Sequence, residues 1–278
     1  MPVALATALA VTAFAANSVL CRLALQHGAI DPASFTTIRF TAGAVTLLLI
    51  GGRAATQTLR LADARLPALV LFLYAIPFAL AYTQLAAGTG ALLLFGAVQL
   101  TMLMAAWRGG ERPSARSWLG FVAALSGLIY LVSPGVAAPP PDGAALMITA
   151  GIAWGGYSLL GRRAPDPLAQ TTRNFVAVVP LVALVSLVQW TAMHLSAAGV
   201  VYAVVSGAIT SALGYVVWYH ALRSLSAARA AFVQLAVPVL AAIGGIALMG
   251  EAMSARLVAA SALVLGGIAL TLSGRGQR

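Results

Sequence analysis

Phe14, Asn17, Ser18 and Cys21 follow the spacing i, i+3, i+4, i+7, so they share one face of a helix. An amide, a hydroxyl and a ring on an otherwise apolar strip are the chemistry of holding a small molecule. The ring supplies contact area and the polar groups fix orientation. The same face recurs 140 residues later as Trp154, Tyr157, Ser158 and Gly161. Tyr74, Phe78 and Tyr82 form a second stripe, and Ser211, Tyr215, Trp218 and Tyr219 a third. Phe95 and Gln99 (with Met102) and Gln234 lie on two further apolar stretches. A substrate-binding set follows: Phe14, Asn17, Ser18, Tyr74, Phe78, Tyr82, Phe95, Gln99, Trp154, Tyr157, Ser158, Ser211, Tyr215, Trp218 and Gln234. Each has a plainer alternative. Asn17 and Gln99 also suit hydrogen bonding between helices. Trp154 also suits helix packing, while Trp218, with Trp107, Trp118 and Trp190, also suits the aromatic belt at a membrane surface.

Catalytic chemistry is missing. The chain has no lysine, which excludes a Walker A phosphate loop and a Schiff base. It has no His-Glu-x-x-His motif and no Gly-x-Ser-x-Gly elbow. Cys21 is the single cysteine, so neither an internal disulfide nor a multi-thiolate metal site can form. The six carboxylates, Asp31, Asp63, Glu111, Asp142, Asp166 and Glu251, all fall in or beside loops, leaving none as a buried proton relay. No enzyme activity, cofactor or metal is expected.

The elements that must position these side chains are dictated by composition. Of 278 residues 61% are hydrophobic and 8% charged, against roughly 25% charged in an average soluble domain. This is the composition of an integral membrane protein. Ten apolar runs occupy 3–23, 33–50, 66–86, 90–107, 115–133, 143–161, 168–189, 198–221, 229–249 and 255–273, each near the ~20 residues that a crossing helix needs. Gly51-Gly52-Arg53, Gly88-Thr89-Gly90, Gly109-Gly110, Pro139-Pro140-Pro141 and Pro165-Asp166-Pro167 separate runs. The net charge of +10 comes from arginines scattered singly or in pairs. No basic stripe interleaved with aromatics exists, so nucleic acid is excluded as a partner. Instead the charge reports topology. Placing both termini in the cytoplasm gives Arg53, Arg60, Arg65, Arg108, Arg112, Arg116, Arg162, Arg163, Arg223, Arg229, Arg275 and Arg278 to the inner side, leaving Arg22 and Arg256 outside.

An ordered series of matches links the two halves. Gly110-Glu111, Ser114-Ala115-Arg116 and Gly127 recur as Gly250-Glu251, Ser254-Ala255-Arg256 and Gly267. Asn17-Ser18, Leu20 and Arg22 match Tyr157-Ser158, Leu160 and Arg162; Asp31-Pro32 and Thr36-Thr37 match Asp166-Pro167 and Thr171-Thr172. Five spans per copy is an odd number, so the copies, 1–138 and 139–278, must cross in opposite senses. The expected fold is all-α: ten transmembrane helices in two inverted five-helix repeats, with a ligand site at the midplane between them.

The ten-span layout, the positions of Asn17 and Arg39 and the twice-used Gly-Glu turn resemble the drug/metabolite transporter superfamily, EamA type, over nearly the whole chain. Within it the chain looks most like the YddG-type exporters of aromatic and other neutral amino acids. Pro238, near the middle of span nine, stands opposite Val98 in the first half. The resemblance implies a secondary transporter in a bacterial inner membrane, exporting small neutral amino-acid-like metabolites by alternating access. Its partners are that small molecule and membrane lipid, and a monomer is compatible with it. A zwitterion gains nothing from the membrane potential, whereas a tenfold gradient supplies about 1.4 kcal/mol; export down the substrate's own gradient follows, with rocking at Gly88-Gly90, Pro77 and Pro238. Two alternatives stand: an anionic cargo such as a sugar phosphate or nucleotide sugar, and a lipid flippase or membrane enzyme. Arg39 and Arg173, about one and a half turns inside their spans, are expected to snorkel to the nearer surface; turned into the cavity, they would favour the anionic cargo. His220 is expected at the interface.

Overall fold

The computed structural model describes residues 1–57, 64–110, 114–135, 137–161, 166–222, 224–225 and 233–273. Asp63, Glu111, Pro165 and the inner-side arginines Arg60, Arg112, Arg162, Arg163, Arg223, Arg229, Arg275 and Arg278 lie outside these, as does the start of the ninth run. Among the described residues ten main helices follow one another: α1 (Val3–Leu25), α2 (Pro32–Gln57), α3 (Arg65–Tyr82), α4 (Ala87–Arg108), α5 (Ala115–Val132), α6 (Pro141–Gly161), α7 (Pro167–Val188), α8 (Ala197–Ala221), α9 (Ala236–Met249) and α10 (Ala255–Ser273). Among the described residues nine are long and apolar enough to cross a membrane, while α9 has 14 residues. Large apolar side chains point outward at full exposure, such as Leu49 at 79% and Leu187 at 68%; water would penalise this surface and lipid does not.

Local chemistry sets the helix ends. The Ser114 and Ser196 hydroxyls accept the first free N–H groups of α5 and α8, and the Asp166 carboxylate those of α7, with Pro167 as first helical residue. Gly52 (φ 54°) breaks α2 and Gly250 (φ 64°) ends α9. Two expectations are corrected. Gly88 and Gly90 form no turn: they lie in the first turn of α4, where Gly88 is pressed on Ala242 and Gly90 on the Tyr82 ring. Their missing side chains serve close packing. Pro238 lies in the first turn of α9 rather than mid-helix, where its absent N–H costs little, and a turn at Leu235 separates that helix from the helical residues 233–234.

Packing is set by small residues. A methyl group on Gly120 would lie 2.4 Å from the Gly267 oxygen, and α5 and α10 are further joined by Thr271 Oγ1 donating to the Ser117 carbonyl at 3.2 Å. Gly151 brings α6 onto the Leu94 oxygen of α4, and Gly207 brings α8 onto the Arg39 oxygen of α2. Such close approach maximises dispersion where lipid offers no hydrophobic drive. α2 packs on α7 and α4 on α9; α1 packs on α8 and α9, and α6 on α3 and α4.

One end of the bundle is clasped. At the end of α1, Arg22 Nε donates to Glu251 Oε1 at 3.1 Å, and its Nη1 donates to the carbonyls of Tyr82 and Thr83. Glu251 Oε2 accepts the Ala87 N–H at 2.8 Å. Nearby, the loops around Ile30 and Leu195 pair as a short antiparallel bridge. There Asp31 accepts the N–H groups of Ser34 (2.8 Å) and His194 (3.0 Å). Partial burial opposes ionisation of Asp31, but these hydrogen bonds outweigh it and hold the carboxyl below its ordinary value.

Candidate functional site

A small, narrow cavity is lined by Phe14, Asn17, Ser18, Tyr74, Phe78, Leu94, Phe95, Trp154, Thr210 and Tyr215. These come from α1, α3, α4, α6 and α8, and most stand near the midpoint of their helices. Eight of the expected binding residues therefore meet around one space: Phe14, Asn17, Ser18, Tyr74, Phe78, Phe95, Trp154 and Tyr215. Trp154 is the hub of the wall. Its ring lies 4.8 Å from Tyr74, 5.0 Å from Tyr215, 5.5 Å from Tyr157 and 6.5 Å from Phe14, centroid to centroid.

The other seven do not line it. Tyr82 is buried behind Phe78, its hydroxyl donating to the Ala87 carbonyl at 3.4 Å. Gln99 Nε2 donates to Gln234 Oε1 at 3.3 Å, a contact between α4 and the residues just before α9. Tyr157 accepts a hydrogen bond from Asn174 Nδ2 at 3.1 Å. Ser158 donates back to the Trp154 carbonyl. Trp218 packs edge-on against Phe14, 5.7 Å away, and Ser211 faces Asn17 and Arg39. His220, Trp118 and Trp190 are exposed.

The polar corner rests on an unusual stretch of α8. Ser206–Leu213 winds as a π-helix, in which turns close five residues back. Residues at i, i+4 and i+5 then stand together. The hydroxyls of Ser206, Thr210 and Ser211 accordingly converge on Asn17 Oδ1, at 2.8, 3.2 and 3.5 Å. Sequence reasoning missed Thr210 because α-helical spacing separates it from the Ser211 stripe. It missed Leu94 because a leucine in an apolar run carries no signal.

Arg39 overturns the snorkelling expectation. It is 1% exposed. Its Nε donates to Ser211 Oγ at 3.1 Å and its Nη2 to Tyr74 Oη at 3.2 Å. The guanidinium lies over the Phe78 ring at 5.2 Å and the Tyr74 ring at 5.7 Å. No carboxylate pairs with it among the described residues. Ring faces offset about 0.5–2 kcal/mol each, whereas burying an unpaired charge costs several kcal/mol. Hydroxyl hydrogen bonds narrow the deficit without supplying negative charge. Arg173, by contrast, is half-buried.

Comparison with known proteins decides the family. The EamA-like transporter family model matches residues 142–273. An uncharacterized protein of Pseudomonas aeruginosa is 50% identical over 272 residues, covering 98% of this chain and 94% of that protein. The chain belongs to the EamA-like transporter family. It is thus a multi-pass membrane transporter of the drug/metabolite superfamily, with a small molecule as its cargo. A crystal structure of 23% sequence identity shares the EamA-like fold at a TM-score of 0.72, covering 98% of both chains.

Proposed function

We propose that this EamA-like protein exports small neutral amino acids, aromatic and other apolar ones, across a bacterial inner membrane. The observation that carries the reading is the mid-helix cavity walled by Phe14, Tyr74, Phe78, Phe95, Trp154 and Tyr215, with its hydrogen-bonding groups gathered at the Asn17 corner. Transport is by alternating access between two inverted five-helix repeats, 1–138 and 139–278, with both termini cytoplasmic. The packing supports this. Exchanging each helix with the one five places on turns α1–α8 into α6–α3 and α1–α9 into α6–α4, while α2–α7, α4–α9 and α5–α10 map onto themselves. Export runs down the substrate's own gradient.

Counterflow of labelled phenylalanine in proteoliposomes tests this. Wild-type protein exchanges it without an imposed ion gradient, and Trp154→Ala lowers the rate at least tenfold while the protein still elutes as a folded species. Absence of exchange, an absolute need for a proton or sodium gradient, or an unchanged Trp154→Ala rate overturns the reading. The buried Arg39 favours a second reading, an anionic metabolite as cargo, which glucose 6-phosphate counterflow would reveal.

A further inference from the structure

Arg39 does not line the cavity, yet it decides what two lining groups present to it. Ser211 Oγ accepts from Arg39 Nε, so its own proton is turned onward, and Asn17 Oδ1 stands at the outer limit of its reach. Ser206 donates to the same oxygen at 2.8 Å and so fills its second lone pair; Thr210 lies 3.2 Å from it, and its hydroxyl also reaches the Ser206 carbonyl at 2.9 Å. A carbonyl oxygen has two lone pairs; this one is fully used. The Asn17 carboxamide is left with its two N–H donors, which have no acceptor among the described residues, on a side chain that borders the cavity. Tyr74 follows the same logic. Its hydroxyl accepts from Arg39 Nη2, which frees its proton, and Tyr74 also borders the cavity.

We propose that this corner is a carboxylate subsite: Asn17 and Tyr74 donate to the anionic end of the cargo, and Arg39 is the positioning residue that turns both into donors and supplies the positive field. One cation with two neutral donors matches one monovalent carboxylate. A phosphate, at about −1.5 to −2, would leave charge uncompensated. Burial strengthens the effect, because the guanidinium sits in a poorly screened interior. The inference rests on the amino-acid reading for the identity of the cargo, but its chemistry is separable from it.

The test is a binding panel on purified full-length protein, read as thermal-shift titrations with phenylalanine, phenylalaninamide, 3-phenylpropionate and glucose 6-phosphate. The expected result is that phenylalanine and 3-phenylpropionate bind at least tenfold tighter than the amide. Arg39→Gln and Tyr74→Phe each erase that acid-over-amide preference, and Arg39→Lys keeps part of it. A structural role alone would weaken all ligands equally and leave the ratio intact. Equal binding of acid and amide by wild type, or an undiminished ratio in both Arg39→Gln and Tyr74→Phe, overturns the proposal, and Tyr74→Phe decides should Arg39→Gln fail to fold. Binding of 3-phenylpropionate but not phenylalanine, with the same Arg39 dependence, upholds the subsite and removes the amino-acid cargo. Binding of glucose 6-phosphate alone overturns both, as does silence across the panel.

Discussion

The α1–α2 corner and the α6–α7 corner stand five helices apart along the chain, and they carry opposite chemistry. At the first, Asn17 and Arg39 gather three hydroxyls and a tyrosine, and donors are left over beside the cavity. At the second, the residues 140 and 135 places later are Tyr157 and Asn174, which hydrogen-bond each other. Both are buried, and neither lines the cavity. The scaffold around them stays alike: Phe40 and Phe175, also 135 apart, meet at 5.1 Å across the α2–α7 contact. The ring contact is thus common to the two corners, while the buried cation stands at the first alone among the described residues. A lone cation placed off-centre gives the site a polarity that a symmetric pair would cancel.

That contrast can be broken most severely at the backbone. Gly207→Ala would put a carbon 2.0 Å from the Arg39 carbonyl oxygen, forcing α8 off α2. Loss of folded protein in size-exclusion chromatography is expected. Gly156→Ala, whose new carbon meets nothing nearer than Val70 at 3.8 Å, is expected to retain or slightly raise the melting temperature.

Side chains sharpen it next. Asn17→Leu removes the acceptor shared by the buried Ser206 and Ser211 hydroxyls, while Thr210 keeps the Ser206 carbonyl, so it should lower stability by about 2 kcal/mol and abolish counterflow. Tyr157→Phe removes one hydrogen bond from the other corner, at about 1 kcal/mol, and should leave counterflow within threefold. Comparable transport defects in the two variants would erase the distinction between the corners.

The smallest effect is at the loops. Asp31 and Asp166 stand 135 apart, and both cap a helix, but Asp31 also reaches His194 across the pairing of the loops. Its carboxyl is held below the ordinary value of 3.8. A depressed folded-state value contributes stability above the unfolded value, and that contribution fades as pH falls through the folded one. Melting temperatures between pH 5 and 3 should decline in wild type, and the decline should be shallower in Asp31→Asn.

How much of this was legible depended on range. Long apolar runs gave the spans, because a membrane leaves a helix little alternative. Local glycine and proline signals were ambiguous: Gly52 ends a helical stretch as read, while Gly88 and Gly90 serve α4 packing instead. The face of Phe14, Asn17 and Ser18 was visible in residue spacing alone. The burial of Arg39 was not, since its partners Tyr74 and Ser211 lie 35 and 172 residues away, and depth along a helix says nothing about which neighbours rotate toward it. The π winding of α8 has no signature in residue type, so Thr210 and Ser206 stayed hidden.

That winding has a mechanical consequence. A stretch whose turns each take in an extra residue is a ruck in a carpet: the slack can shift along α8 while the remaining backbone bonds stay made. The three hydroxyls on Asn17 belong to the ruck. Sliding it by one turn would withdraw them together and spin Tyr215 and Trp218 about the axis, so the hold on Asn17 and the twist of a whole span are geared to the same few residues.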